Sequence, residues 1–313
     1  MIPHLLGFHP SESLVVVLVQ GGRVELTARA DLKPMLQAGQ ADLLVQRLWG
    51  RFPSADAWFV AYTADHAAGW RLLDRCQELV RPATGRVMLV QGERFWCDSA
   101  TAEPGHHDPR AGVLAAEATL LGLAARASRD DLRALVSGPA DADIPGLIEA
   151  FEQQQRLLEL LPMRRWPHQL AAAVEKFIDD GDVPDDAHCA RLALLAQNPA
   201  ARDRALVAIT LESAEQHVAL WGRVVNRCLA RYQAFPLGLM GMAAWAAGNG
   251  ALQVICLERA EQQLPDSGLV RILASINENV VPPSSWDSIR ASLLAALGAE
   301  VRSGSRRTGR QRR

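Results

Sequence analysis

The run Ser13-Leu14-Val15-Val16-Val17-Leu18-Val19 constrains this chain more than any other segment. An unbroken apolar stretch rich in β-branched residues fits a strand buried on both faces and suits little else. It is preceded by Leu5-Leu6-Gly7-Phe8-His9-Pro10-Ser11-Glu12, which reads as a loop that places polar side chains at the head of that strand. Gly21-Gly22 follows as a two-residue turn suited to positive φ, and from Arg23 to Arg29 the residues Val24, Leu26 and Ala28 alternate. The pattern predicts a β-hairpin.

Leu36, Leu43, Leu44, Val45 and Leu48 recur at helical spacing and predict a helix over 35–49, followed by a buried strand over 57–62 and a helix over about 65–80. Val87-Met88-Leu89-Val90, the turn pair Gly92-Glu93 and Arg94-Phe95-Trp96-Cys97 form a second predicted hairpin. Strand, helix, strand, helix, strand implies parallel neighbours joined by crossovers, with antiparallel hairpins at both ends. Past Cys97 the strand signals stop. Asp108-Pro109 opens a helix expected to run to about Ala127, and Ser128-Arg129-Asp130-Asp131 is a capping box for the next. Ser213-Ala214-Glu215-Gln216 predicts the start of a long helix ending near Tyr232, and Ser284-Ser285-Trp286-Asp287 the start of the last.

From Tyr232 to Leu257 no residue is charged, long enough for a bilayer span. Gln233, Pro236, Asn249-Gly250 and Gln253 interrupt it, so a buried helical hairpin is expected and no membrane span. Ala243-Ala244-Trp245-Ala246-Ala247-Gly248-Asn249-Gly250-Ala251-Leu252, with Glu258-Arg259-Ala260 and Pro265, has tetratricopeptide-like spacing. One copy is recognisable, and a tightly packed helix pair accounts for it without a repeat array.

The fold class expected is therefore α+β or α/β. An α/β domain with a mixed sheet and crossover helices occupies 1–138, an all-helical domain of hairpins 139–300, and a disordered Arg-rich tail 301–313. A length of 313 residues suits two domains, and 49% hydrophobic with 22% charged residues excludes global disorder. Arg302, Arg306, Arg307, Arg310, Arg312 and Arg313 crowd the tail; without them the net charge of -2 becomes about -8, which argues against a general nucleic-acid-binding surface. The 5 cysteines are odd in number and lack a C-x-x-C pair, so neither a disulfide framework nor a zinc site is suggested. Met1-Ile2-Pro3-His4 lacks the basic segment of a secretory signal, and a cytoplasmic location is expected.

The motif Leu5-Leu6-Gly7-Phe8-His9-Pro10-x-x-Ser13-Leu14-Val15, then Leu26-Thr27-Ala28-Arg29-Ala30-Asp31-Leu32, then Trp245-x-x-Gly248-x-Gly250-Ala251 with Glu258-Arg259-Ala260, resembles an actinobacterial family known as a domain of unknown function, DUF4192. The resemblance covers nearly the whole chain except the Arg-rich tail. It implies no substrate, cofactor or catalytic residue.

His9, Ser11 and Glu12 lie at the end of a strand, where sites on α/β sheets are commonly placed, yet no G-x-S-x-G elbow is present. Arg29 and Asp31 share a face and suit an anion clamp, or else a simple ion pair in which Asp31 caps the adjoining segment. His106-His107-Asp108 offers donors to a divalent metal, but adjacent histidines point apart and no ligand spacing supports them, so no metal and no cofactor is expected. Arg223, Arg227 and Arg231 form a stripe that suits either an anion surface or a solvated helix face. Trp166 and Trp245 read as core anchors. The leading functional expectation is a non-catalytic binding or scaffold protein whose helical domain receives a protein partner, with weak nucleic-acid contact through the tail. The alternative is an enzyme or small-molecule sensor using His9, Ser11, Glu12, Arg29, Asp31 and His107.

Overall fold

The computed structural model describes residues 2–80, 85–107 and 126–310. The chain divides into two compact units: Met1–Arg133 with Asn249–Ala251 and Ile276–Val280, and Ala134–Gly248 with Leu252–Ser275 and Val281–Arg313.

The first unit begins with α1 (Ile2–Leu6), β1 (Ser13–Gln20) and β2 (Arg23–Asp31). Gly21 and Gly22 turn that hairpin at φ of 58 and 78°, the left-handed pair that a tight hairpin requires. Then come α2 (Leu32–Met35), α3 (Gln40–Arg51), β3 (Asp56–Tyr62), α4 (His66–Val80), β4 (Gly85–Gln91), β5 (Arg94–Cys97) and a two-residue β6 (Gly105–His106). The strands form one mixed sheet in the order β2-β1-β3-β4-β5-β6.

The mixed sheet, its two hairpins and the parallel β3-β4 crossover are as expected, but the first crossover does not join neighbours. The segment α2-α3 does join two strands of the same direction, but β1 lies between them, antiparallel to both β2 and β3, and β3-β4 is the parallel pair. Burial explains the insertion. Ser13 to Leu18 is buried on both faces and gains from neighbours on both edges, whereas β2 has only partly buried residues between exposed ends and tolerates the edge. Strand signals also continue past Cys97, because Gly105 pairs with Phe95 and the ring of Phe95 lies where a Cβ at Gly105 would fall.

The helix expected over 35–49 is shorter and displaced. Pro34 sits in the single turn of α2, Gly39 at φ 79° precedes α3, and Leu36 and Leu43 are 43% and 59% exposed while Ala41, Val45 and Leu48 are buried. Those three residues, with Trp70, Leu72, Leu73, Cys76 and Val80 of α4, cover one face of the sheet against Leu14, Val16, Leu18, Ala57, Phe59, Ala61, Val87 and Leu89. The helix expected from Asp108 lies outside the described residues except at its end, where Arg126 instead forms a parallel bridge with Phe8. α5 (Arg129–Ala134) has the expected capping box, with Ser128 N–H donating to Asp131 Oδ2 at 2.8 Å and Asp131 N–H to Ser128 Oγ at 3.2 Å.

The second unit is helical: α6 (Ile144–Glu159), α7 (Trp166–Asp180), α8 (Asp186–Leu195), α9 (Pro199–Ala208), α10 (Ala214–Asn226), α11 (Ala234–Ala246), α12 (Gly250–Gln263), α13 (Gly268–Glu278) and α14 (Trp286–Arg310). α11 is buried on every side from Pro236 to Ala246, as an apolar helix without a polar face must be. Gly238 and Gly241 let α13 approach, since a Cβ at either would lie 2.9 Å from Leu269 Cδ1 or Leu273 Cδ1. The uncharged run is thus a broken helical hairpin, and among the described residues no helix is long and apolar enough to cross a membrane.

α10 starts at Ala214 as expected, directly after Ser213, whose hydroxyl pairs with that of Thr210 at 2.9 Å instead of bonding a helix N–H. α10 ends at Asn226 rather than near Tyr232. α14 carries helical backbone through Arg310.

His217 of α10 is 1% exposed, its Nδ1 has no hydrogen-bond partner, and burial pushes it down to about 4. Trp221, one turn on, also leaves its Nε1 without a partner. Between the unfolded value of 6.5 and the folded value of about 4 the unfolded chain binds the extra proton, so stability falls as pH drops through that window, by about 3 kcal/mol in all. Urea unfolding midpoints measured from neutral to acid pH should decline across this range, and His217→Leu should flatten the decline. An unchanged profile in that variant would contradict the assignment.

Candidate functional site

The sheet register sets Asp31, Ser13, Tyr62 and Val90 side by side, at the carboxyl ends of β2, β3 and β4 and the amino end of β1. Such an edge is where open α/β sheets usually place ligands. Gly69 lets α4 press close to it, because a Cβ there would lie 2.4 Å from Leu89 Cδ1 and 2.9 Å from Thr63 Cγ2.

Glu12 organises this edge. Its backbone is left-handed, at φ 41°, uncommon for a residue with a side chain. Its carboxylate accepts the Thr63 hydroxyl at 2.9 Å on one oxygen and the Ala64 N–H at 3.0 Å on the other, while its carbonyl accepts the Leu32 N–H at 2.9 Å. Thr63 Oγ1 in turn accepts the Asp65 N–H at 3.1 Å, and Asp65 Oδ1 accepts the Ala68 N–H at 2.9 Å, capping α4. Gln91 Nε2 donates to the Ala64 carbonyl at 2.6 Å. One carboxylate therefore braces the starts of β1 and α2 against the turn between β3 and α4.

Arg29 and Asp31 form the ion pair their spacing suggests, at 2.5 Å, though the Asp31 side chain makes no cap bond to α2. Arg29 Nε also donates to Ser13 Oγ at 2.9 Å, and Ser13 Oγ donates to the Ser11 carbonyl at 2.6 Å. Burial lowers the Arg29 pKa from its usual value, Asp31 opposes that, and the like charges of Arg129 and Arg133 add to the lowering. Asp31 is the acid partner of Arg29, and Arg133 is paired with Asp130 at 2.9 Å.

The remaining candidates separate. His9 donates its N–H to the Arg126 carbonyl at 3.0 Å, and Ser11 is exposed and contributes its carbonyl to Ser13. His107 follows β6, four strands from β1, so at about 4.8 Å per strand it lies roughly 19 Å from the Glu12 group. It does not join His9, Glu12 and Arg29. Its N–H bonds the Glu93 carbonyl at 2.9 Å, its ring tilts against Phe95, and its Nε2 is buried without a partner. Asp108 lies outside the described residues, and among those described no three His, Cys, Asp or Glu side chains are grouped to hold a metal ion. All five cysteines are free thiols; burial pushes Cys76, Cys189 and Cys256 up to about 12, far from a reactive thiolate.

Of the arginine stripe, Arg223 and Arg231 are exposed, as a solvated face requires, while Arg227 is drawn in among its partners. Arg223 Nε donates to the Pro184 carbonyl at 3.3 Å, and Arg227 forks onto both oxygens of Asp186 at 2.6 Å while bonding Asp143. Arg231 lies over the ring of Tyr232, which stacks on Phe151. Trp245 is a core anchor as expected, donating to the Val281 carbonyl at 3.0 Å and meeting Trp286 edge-on. Local sequence pattern did not single out Thr63, Asp65 or Gln91. A Thr-x-Asp signal directly after an apolar strand and before a helix would have marked the turn, but not its partner Glu12.

Fold and site together define an α+β protein whose sheet end is braced by its own polar side chains. The chain belongs to the family described as a domain of unknown function (DUF4192), whose profile matches residues 1–284. The match stops just before α14, so the whole last helix lies beyond it, not the Arg-rich tail alone. No curated protein and no solved structure matches the chain.

Glu12→Ala removes two bonds to a carboxylate and should lower stability by roughly 1–3 kcal/mol, with the loss concentrated as faster amide exchange at Ala64 and Leu32. Ser11→Ala, which keeps the backbone acceptor, should stay within about 0.5 kcal/mol. Equal effects of the two changes would refute the bracing role.

Proposed function

We propose that this protein is a non-catalytic, cytoplasmic binding protein whose helical unit receives a protein partner. The observation that carries this reading is how the two kinds of surface group are used. At the sheet end Arg29 bonds Ser13 and Asp31 while Glu12 bonds Thr63 and the Ala64 backbone, and among the described residues there none of these bonds pairs a nucleophile with a base. Large apolar side chains stand in solvent in both units, but the most exposed, Leu160, Val183 and Met163, lie in the helical unit. Exposed apolar side chains grouped near one turn, as at Leu157, Leu160 and Met163, favour a contact surface.

Cross-linking of the full chain in extract of its own cells, read by mass spectrometry, tests this. Leu160→Ser with Met163→Ser should reduce partner recovery about tenfold, corresponding to about 1.4 kcal/mol, while Arg29→Lys leaves it unchanged. The reverse pattern would transfer the function to the sheet end.

That reverse pattern is the second reading, a small anionic ligand at Arg29. Arg29 favours it, a largely buried cation at the sheet end with donors directed at Ser13 and Asp31. A rise in thermal midpoint with inorganic phosphate, lost in Arg29→Lys, would support this reading; no rise would remove it. We also propose weak, salt-sensitive nucleic-acid contact through the Arg-rich end, which truncation after Glu300 would abolish.

A further inference from the structure

The two ends of α7 carry opposite charge, and each has an exposed apolar side chain at its centre. At the turn leading into α7, Leu160 is 81% and Met163 64% exposed, flanked by exposed Arg164 and Arg165, with Glu159 as a nearby acid and Arg156 paired with Glu152. At the turn leading out, Val183 is 75% exposed beside Asp179, Asp180 and Asp182, with Arg223 on the Pro184 carbonyl as the nearby base. These three are the most exposed large apolar side chains among the described residues. The ends are separated by a helix of 15 residues, roughly 22 Å at 1.5 Å per residue.

Both sets of charges oppose the helix dipole. Arginines stand at the positive amino end of α7 and aspartates at its negative carboxyl end, the reverse of what stabilises a helix. Nor does the fold use them. Arg164, Arg165, Asp179, Asp180 and Asp182 make no ion pair or side-chain hydrogen bond among the described residues, whereas their neighbours Asp185 and Asp186 cap α8 and hold Arg227. Charges that cost the helix stability and serve no contact within the chain are explained by a contact outside it.

We infer that the two turns are the halves of one interface between copies of this chain, the basic Leu160–Met163 turn of one copy seating on the acidic Val183 turn of the next. The occupant is a second copy because the chain itself supplies the complement in sign and in apolar centre. Since the two surfaces differ, the contact is head-to-tail and propagates into chains or a ring. Each turn is small, so association is weak, concentration-dependent and salt-sensitive. The inference rests on the protein-binding reading above and names the partner.

Sedimentation velocity of the full chain at low ionic strength tests it. The sedimentation coefficient should rise toward roughly millimolar concentration and fall back in about 0.5 M salt. R164S/R165S and D179S/D180S should each weaken association at least tenfold. Mixed in equal amounts they should form a one-to-one dimer, since each retains the turn the other lacks. Circular dichroism should show both folded; if either is not, Leu160→Ser and Val183→Ser provide the same comparison. Monomers at every concentration, or association that both double variants leave intact, would overturn the inference. In the first case, recovery of a different protein through Leu160 and Met163 would leave the broader reading standing, and loss of that recovery would remove both.

Discussion

The burial of β1 on both faces is the constraint that shapes the first unit. Leu14, Val15, Val16 and Leu18 are at most fractionally open to water, so neither face of the strand can be a surface and neither edge can be spared. A strand of that kind must lie inside its sheet with layers on both sides. β1 therefore separates β2 from β3, although the chain runs from β2 to β3 through two helices. The choice also fixes the chemistry of the sheet end, because a central strand that starts there brings Ser13 and Glu12 among the carboxyl ends of its neighbours.

Polar groups at such an edge are partly withdrawn from water and must be satisfied, or they cost more than they contribute. The fold meets that demand internally. Glu12 gives both carboxylate oxygens to the turn after β3, and Arg29 divides its donors between Ser13 and Asp31. The left-handed backbone of Glu12 is strain held in place by these bonds, so that its carboxylate braces the head of β1 against the turn after β3.

What was legible in the sequence is local. Gly21-Gly22 marks its hairpin because positive φ is needed twice in succession, and Ser128 with Asp131 marks a helix start because both partners lie within one turn. Spatial order was not legible: a periodic pattern says that a strand is buried but not which strands flank it. The bond from Glu12 to Thr63 spans 51 residues and leaves no trace in either local motif. The Arg29-Asp31 pair was visible because two positions on a strand share a face. The arginine stripe was legible only in part for a related reason: Arg223 and Arg231 are exposed, but the helical spacing runs past Asn226, where α10 stops, and the partners of Arg227 lie 41 and 84 residues away.

Glu12 and Arg227 solve the same problem in the two units. Each is a charged side chain that reaches groups distant in sequence and fixes several chain ends at once: Glu12 joins β1, α2 and the turn before α4, and Arg227 joins the end of α10 to Asp186 and Asp143. Asp186 is held below the ordinary carboxylate range chiefly by its hydrogen bonds from Arg227. Charge committed in this way is lost to function but defines the fold, since a long side chain with several satisfied bonds excludes other arrangements of the loops it touches. The charges left over are then informative. Along α7 they sit where the helix dipole disfavours them, so neither helix propensity nor internal pairing accounts for them, and exposure alone would have permitted uncharged polar residues.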